Sequence, residues 1–100
     1  MAVTPVTFFR GAATVTLTTL LATITTGKTG NITSILVTNT AATAATFDLA
    51  LDDVKIAAGV AIAAKSMVEF STKQVLTSAK TIKGGASATT VNFHICGVEI

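Results

Sequence analysis

The feature of this sequence that most restricts its fold is a two-residue alternation of large apolar side chains with small or polar ones, which recurs from residue 14 onward. Successive side chains of a β-strand point to opposite faces of the sheet, so this alternation is typical of strands with one buried face. The i, i+3, i+4 stripes of large apolar residues that mark a helix do not recur. The sequence therefore predicts an all-β protein.

Turn residues separate the alternating segments. GKTGN at 27–31 has the glycine and asparagine content of a turn, and Asp52-Asp53 is predicted to join a hairpin that returns through Val54 and Ile56. Strands are expected in segments 14–24, 31–39, 45–51 and 66–71, around residue 82, and in segment 89–100. About seven to nine short strands in a chain with a single proline predict an antiparallel β-sandwich or a small barrel.

Two segments depart from simple alternation. Segment 14–24 changes phase near its middle, which predicts a β-bulge or a strand that serves two sheets. Segment 57–66 has the alanine content of a short helix, but its Gly59, Val60 and Ile62 favour a loop and a short strand.

Two further expectations concern strand faces and strand ends. In the strand of segment 31–39, alternation places Ile35 and Val37 on one face and Ile32 and Leu36 on the other. The pair Gly84-Gly85 is expected to close the strand around residue 82.

The length of the chain, 100 residues and 10.1 kDa, predicts one domain. Residues 1–12 carry Val6, Phe8 and Phe9 but lie outside the alternating pattern. They are either an N-terminal arm that adds a strand to a neighbour's sheet or the first strand of the chain's own sheet, and residues 13–100 form the sandwich domain. A lone cysteine cannot form an internal disulfide, which is compatible with a reducing compartment.

Charge is scarce in this chain. Charged side chains make up 12% of the residues, against about 25% in average globular proteins, and the mean hydropathy is +0.70. An isolated soluble domain normally keeps a charged surface, whereas the centres of protein interfaces are depleted in charge. The composition therefore predicts that copies of the same chain, or another protein, cover much of the surface.

Three other classes of protein fit the composition poorly. The net charge is only +2, the lysines are scattered, and Trp and Tyr are absent, whereas nucleic-acid binding needs a clustered basic surface, often with stacking aromatics. The longest run of apolar or small residues, at 57–64, is far shorter than the roughly 20 needed to span a bilayer. Threonines interrupt the candidate signal segment 11–27, and no basic cluster precedes it. We expect neither a nucleic-acid partner, nor a membrane partner, nor export.

The only His and the only Cys, His94 and Cys96, lie two residues apart in the last predicted strand. They would share one face of that strand, about 6.6 Å apart along the chain, with Val91, Phe93 and Ile95 on the other face. Zinc needs three or four protein ligands, and no second His or Cys exists to complete the set. A Cys-His nucleophile needs converging side chains, which neighbours at i and i+2 on a strand do not provide. We interpret the pair as structural.

Three shorter motifs also fall short of a site. GKT at 27–29 lacks the first glycine and the following helix of a phosphate-binding loop. Asp52-Asp53 sits in a tight turn, which supplies neither a cleft for paired carboxylates nor the six or more oxygens that calcium takes. Segment 31–33, Asn-Ile-Thr, matches a glycosylation sequon that matters only in a secreted eukaryotic protein. We therefore predict no catalytic residue, no cofactor and no metal, and a protein that is not an enzyme.

Three stretches between residues 30 and 100 carry a recurring pattern: ITSILVTNTAATAATFDLALDD, IAAGVAIAAKSMVEFSTKQVLTSAKTIKGGAS and the terminal VNFHICGVEI. The pattern has a strand ending in Asn and a final strand ending near G-V-E-I. In these stretches the chain resembles small structural proteins of tailed bacteriophage virions. The corresponding residues here are Asn39, Phe47, Leu49, Leu76, Ile82, Ala86, Ser87, Gly97, Glu99 and Ile100.

The resemblance implies a β-sandwich that works in many copies on the virion, with no catalytic residues. The function it implies is that of a capsid decoration, or cement, protein that stabilises the head by contacts between subunits. Its expected partners are further copies of itself, with a trimer as one expected arrangement, and the major capsid or neck protein. A neck or tail structural protein, or a receptor- or carbohydrate-binding fibre module, remains the alternative.

Overall fold

The computed structural model describes residues 4–70 and 73–100, which form nine β-strands without a helix. The predicted all-β class is confirmed. The strands are β1 (Thr4–Ala12), β2 (Thr19–Thr23), β3 (Gly30–Asn39), β4 (Ala45–Leu51), β5 (Val54–Ile62), β6 (Ser66–Phe70), β7 (Gln74–Leu76), β8 (Thr81–Ala86) and β9 (Val91–Glu99).

The strands form two antiparallel sheets that pack as a sandwich. Sheet A has the order β1-β9-β3-β6, and the short β7 pairs with the other half of β3 on the same side as β6. Sheet B has the order β2-β8-β4-β5. Strand β1 lies beside β2, and β5 beside β6, at the two sides of the molecule. Of the two expected architectures, the structure is the sandwich.

The core lies between the sheets and is built from the inward side chains of every long strand. Phe47 of sheet B contacts Phe93 and Phe70 of sheet A, at ring-centroid distances of 6.2 and 6.1 Å. Tilted and edge-on ring pairs of this kind add to the burial energy of the rings. The largest apolar side chains with less than 2% exposure are Phe47, Phe93, Ile24, Ile32, Ile35, Leu49, Ile62, Ile82, Ile95, Val37 and Val91.

Residues Thr4–Ala12 belong to the chain's own sheet. They form the edge strand β1, which pairs with β9, and a register shift between Thr7 and Phe9 marks a bulge. Of the two alternatives for residues 1–12, the structure therefore places the described part, residues 4–12, as a first strand. Residues 1–3 lie outside the described residues.

Segment 14–24 differs from its prediction. Residues 13–18 are a loop, and only Thr19–Thr23 forms a strand, with its bulge between Leu20 and Ala22 against β8. The hydroxyls of Thr14 and Thr19 donate hydrogen bonds to the carbonyl of Thr16, at 3.1 and 3.0 Å. Threonine side chains that bond to nearby backbone compete with strand pairing, which explains why alternation alone misled here.

In β3 the predicted placement of Ile32 is wrong. Ile32 is fully buried on the same side as Ile35 and Val37, and only Leu36 faces outward. A register shift against β9 between Ile32 and Ser34 inserts one extra residue, which reverses the phase of the strand.

The predicted end of β8 is also wrong, because Gly84 and Gly85 lie inside the strand. A Cβ atom at Gly84 would collide with the backbone carbonyl of Asp48, and one at Gly85 would overlap the backbone of Thr16 and Leu17. Gly84 thus allows close packing against β4, and Gly85 allows the 13–18 loop to lie directly on β8, where the Ala86 N–H donates to the Thr14 carbonyl at 2.9 Å.

The hairpin at Asp52-Asp53 is confirmed. Both residues have positive φ angles, 53° and 61°, as a tight turn with the right-handed twist of its flanking strands requires. The returning strand β5 extends from Val54 to Ile62, and residues 63–65 form a loop before β6. Segment 57–66 is therefore a strand followed by a loop, as predicted in preference to a helix, although the strand begins earlier than expected.

Candidate interaction surfaces

One end of the sandwich is organised by Asn39, the last residue of β3, whose side chain is 2% exposed. Its Nδ2 donates to the carbonyls of Thr43 and Ala63, at 2.9 and 3.3 Å. Its Oδ1 accepts from the Ala41 N–H at 3.1 Å and from the Thr90 hydroxyl at 3.2 Å. Both donors and both acceptor sites of the amide are used, so Asn39 ties three loops to the sheet.

The outer face of sheet B carries a buried carboxylate, Asp48, whose side chain is 8% exposed. It accepts from Lys55 Nζ at 2.8 Å and from the Gly59 N–H at 2.9 Å. Gly59 has φ +59° and lies where the register of β5 shifts, so the carboxylate holds a bulge in β5. The hydrogen bond from Lys55, followed by that from Gly59, lowers the pKa of Asp48, and burial opposes this effect.

Two more ion pairs surround the β4–β5 hairpin. Lys83 Nζ lies 2.8 Å from Asp53, and Lys80 Nζ lies 3.5 Å from Asp52. A recess of about 130 Å³ lies beside them, lined by Leu17, Thr18, Asp48, Leu49, Ala50, Asp53, Lys55 and Lys83. Because each lysine and carboxylate of this lining is engaged with another, the recess presents no free charge for a ligand. Asp52-Asp53 thus serves the hairpin and its ion pairs.

The outer face of sheet A has a different character. Strand register aligns two rows of outward side chains across its four main strands. We call the first the charged row, and it consists of Arg10, His94, Leu36 and Glu69. We call the second the methionine row, and it consists of Ala12, Asn92, Thr38 and Met67.

His94 and Cys96 lie on this face, side by side on β9, as predicted. Val91, Phe93 and Ile95 alternate with them and are fully buried on the other face, while His94 and Cys96 are half-buried. Cys96 is a free thiol next to Thr7 and Ser34 in the register. Within residues 4–70 and 73–100, no cluster of three or more His, Cys, Asp or Glu side chains has the arrangement of a metal site.

The GKT motif forms the turn between β2 and β3. The Gly27 N–H donates to the Ser78 hydroxyl at 2.8 Å, and the Lys28 and Thr29 N–H groups donate to the carbonyls of Thr25 and Ile100, each at 3.0 Å. These backbone donors are therefore occupied inside the protein, and a strand follows the motif. The sequon residues 31–33 lie at the start of β3.

Several large apolar side chains are exposed. Seven of them have between 42% and 68% of their surface accessible: Val15, Leu17, Leu20, Val54, Ile56, Met67 and Val75. Contiguous exposed apolar surface commonly marks an interaction site.

The described chain has no helix long and apolar enough to cross a bilayer.

Comparison with known proteins gives no assignment, since no family model matches the chain and no curated protein is significantly similar to it.

Sequence reasoning missed two polar residues that organise these surfaces. Asn39 lies two residues after Val37 and four after Ile35, so alternation places its side chain on the same, core-facing side of the strand. Alternation places Asp48 on the outer face of β4, yet it is buried; Leu17 and Thr18 of the 13–18 loop line the recess beside it, and Lys55 binds its carboxylate, and the sequence pattern did not place either of these neighbours.

Proposed function

We propose that this protein is a structural subunit of a tailed-bacteriophage virion, a capsid decoration protein that stabilises the head by contacts between subunits. The observation that carries the proposal is the combination of seven exposed large apolar side chains with a charged fraction of 12%. Charge depletion together with exposed large apolar side chains is typical of surfaces that other protein covers.

The distribution of charge supports the same role. Half of the chain's twelve charged side chains, Asp48, Asp52, Asp53, Lys55, Lys80 and Lys83, are used in ion pairs on sheet B and its hairpin. Those charges stabilise the fold and are less available to keep the remaining surface hydrated. A subunit in a symmetric lattice gains from many small apolar and backbone contacts, which add together across copies.

The test is the addition of the purified protein to phage heads that lack it. We expect saturable binding in many copies per head and a higher temperature of DNA release. A few copies at one vertex would assign the protein to the neck or tail instead. Absence from purified virions, together with no binding to heads, would refute the virion role, and a glycan array tests the fibre alternative.

A further inference from the structure

We propose that two copies of this chain associate face to face through the outer face of sheet A, about a two-fold axis parallel to the strands. The inference deepens the proposed function, on which it rests for the expectation that this face is covered. It names the covering partner as a second copy of the chain.

The charged row has opposite charges at its two ends. Arg10 lies on the edge strand β1, and Glu69 lies on the opposite edge strand β6. They are three strand spacings apart, about 14 Å, which is too far for direct pairing within one molecule. Between them lie only His94 and Leu36. The row therefore presents one cation and one anion, and among residues 4–70 and 73–100 neither of them takes part in an ion pair.

A two-fold axis parallel to the strands, in the interface and between β9 and β3, exchanges the two ends of this row. Arg10 of each copy then faces Glu69 of its partner, and His94 faces Leu36. An axis perpendicular to the strands, level with the row, would instead set Arg10 against Arg10 and Glu69 against Glu69. The charges therefore select the first operation, because like charges facing each other oppose association and opposite charges favour it.

The methionine row fits the same operation independently. Its ends are Ala12 on β1 and Met67 on β6, and Met67 has 68% of its surface exposed. The axis sets the long Met67 side chain against the small Ala12 of the other copy, and Asn92 against Thr38. A large side chain over a small one is the complementarity that close sheet packing needs. A face that binds an unrelated protein is not expected to be complementary to a second copy of itself in two separate rows.

The face is large enough for a specific contact. Four strands about 4.8 Å apart give a width of about 19 Å, and the nine residues of β9 give a length of about 30 Å. Each copy would cover roughly 570 Å², and the two together about 1,100 Å², just above the roughly 1,000 Å² expected of a biological interface. Two-fold dimers are the commonest symmetric assemblies of soluble proteins.

Charge exchange at the two edges tests the proposal. Arg10→Glu and Glu69→Arg each create two like-charge contacts per dimer, because the symmetry repeats every contact. At about tenfold for each contact, the dimer Kd should rise about 100-fold in either single variant. The double variant Arg10→Glu/Glu69→Arg restores opposite charges, so its Kd should lie within about tenfold of the parent. Sedimentation equilibrium over a concentration series, at low salt, measures these constants.

Two controls locate the contact. Lys28→Glu makes the same charge reversal in the β2–β3 turn, away from the face, and should leave the Kd unchanged. Cys96 lies beside the charged row, so its rate of alkylation should fall as the parent dimerises and stay high in the single variants. All variants must keep the parent's circular dichroism spectrum, as expected for changes at exposed edge positions.

A parent that stays monomeric to millimolar concentration would overturn the inference, as would a double variant that dimerises no better than the single ones. A dimer in which Cys96 alkylation is independent of concentration would also overturn it, because the contact would then lie on another face. Binding to phage heads is measured separately. A monomer that binds heads would refute the dimer and leave the virion role intact. A dimer that never binds heads would refute the virion role and leave the dimer intact.

Discussion

Replacing Asn39 by aspartate tests whether the four hydrogen bonds of this buried amide organise one end of the sandwich. Asn39→Asp keeps the shape of the side chain and replaces the Nδ2 group by an oxygen. That oxygen would face the carbonyls of Thr43 and Ala63, now 2.9 and 3.3 Å from Nδ2. An ionised carboxylate is repelled by both carbonyls and is desolvated, so the substitution raises the pKa of the new carboxyl in the folded state.

The cost of the substitution has a ceiling, because the new carboxyl can bind a proton. Holding a carboxyl neutral at pH 7, when its unfolded pKa is about 3.9, costs about 4 kcal/mol at 1.36 kcal/mol per pH unit. The protonated form can donate to only one of the two carbonyls, which loses one hydrogen bond, or about 1 kcal/mol. We expect a loss of about 4 to 5 kcal/mol at pH 7, a large part of the 5 to 15 kcal/mol typical of a domain.

The loss of stability in Asn39→Asp should increase as the pH rises. A raised folded pKa means that the variant keeps its stability below the unfolded pKa of about 3.9 and loses it as the pH rises. At pH 5 the expected loss is therefore about 2 to 3 kcal/mol, and near pH 4 about 1 kcal/mol. Urea unfolding followed by circular dichroism measures this, since the chain has no Trp or Tyr for fluorescence. Unfolding is measured at a protein concentration low enough for the parent to be monomeric, because self-association would add to the apparent stability.

Asn92→Asp is the matched control. Asn92 is half-buried on the outer face of sheet A, and its Nδ2 makes one long bond, 3.4 Å, to the Thr90 carbonyl. It should lose less than about 1 kcal/mol, with little change between pH 5 and 7. A loss in Asn39→Asp below about 1 kcal/mol at pH 7, or one that does not vary with pH, would refute the reasoning.

Three further substitutions test other parts of the fold. Asp48→Asn should lower the free energy of unfolding by about 1 to 2 kcal/mol at pH 7. Because the pKa of the Asp48 carboxyl is lowered in the folded parent, this difference should vanish as the pH falls below about 4 and the parent carboxyl binds a proton. Equal thermal unfolding of variant and parent at pH 7 would contradict this expectation. Phe93→Ala removes a fully buried ring and should cost about 3 to 5 kcal/mol in urea unfolding, and a cost below about 1 kcal/mol would contradict the described core. Gly85→Ala should cost about 1 to 3 kcal/mol and make the 13–18 loop easier to cleave by protease, whereas Gly11→Ala, where the Cβ meets only ordinary contacts, should do neither.

The sequence predicted most of the strands because burial follows alternation wherever a strand has one dry face. The region 45–51 with its hairpin, the strand in segment 66–71 and the two faces of β9 follow that rule and were predicted correctly. The errors cluster where one residue changes the phase, as at the β3 bulge that turns Ile32 inward. A bulge depends on how a partner strand pairs, and that information lies 60 or more residues away in β9.

The alternation of side chains also failed to predict the loop that covers sheet B. Val15 and Leu17 alternate with threonines and resemble a strand, yet they are 66% and 44% exposed because they lie in a loop over β8. The glycine pair at 84–85 was the available signal, but glycines end strands and admit close neighbours alike. Leu17 and Thr18 of the same loop line the recess beside Asp48, so the surroundings of this carboxylate could not be derived from the sequence alone.

The two outer faces of the sandwich divide the few charges unequally, and this division links fold to function. On sheet B and its hairpin, six charges neutralise one another, so that face is stabilised from within. On the two aligned rows of sheet A, Arg10 and Glu69 stand at opposite edges with uncharged side chains and one histidine between them. Charges placed at the rim of a face, with a low-charge centre, fix the orientation of a partner more than they add affinity. The proposed two-fold contact would place each of these two charges opposite its counterpart on the second copy.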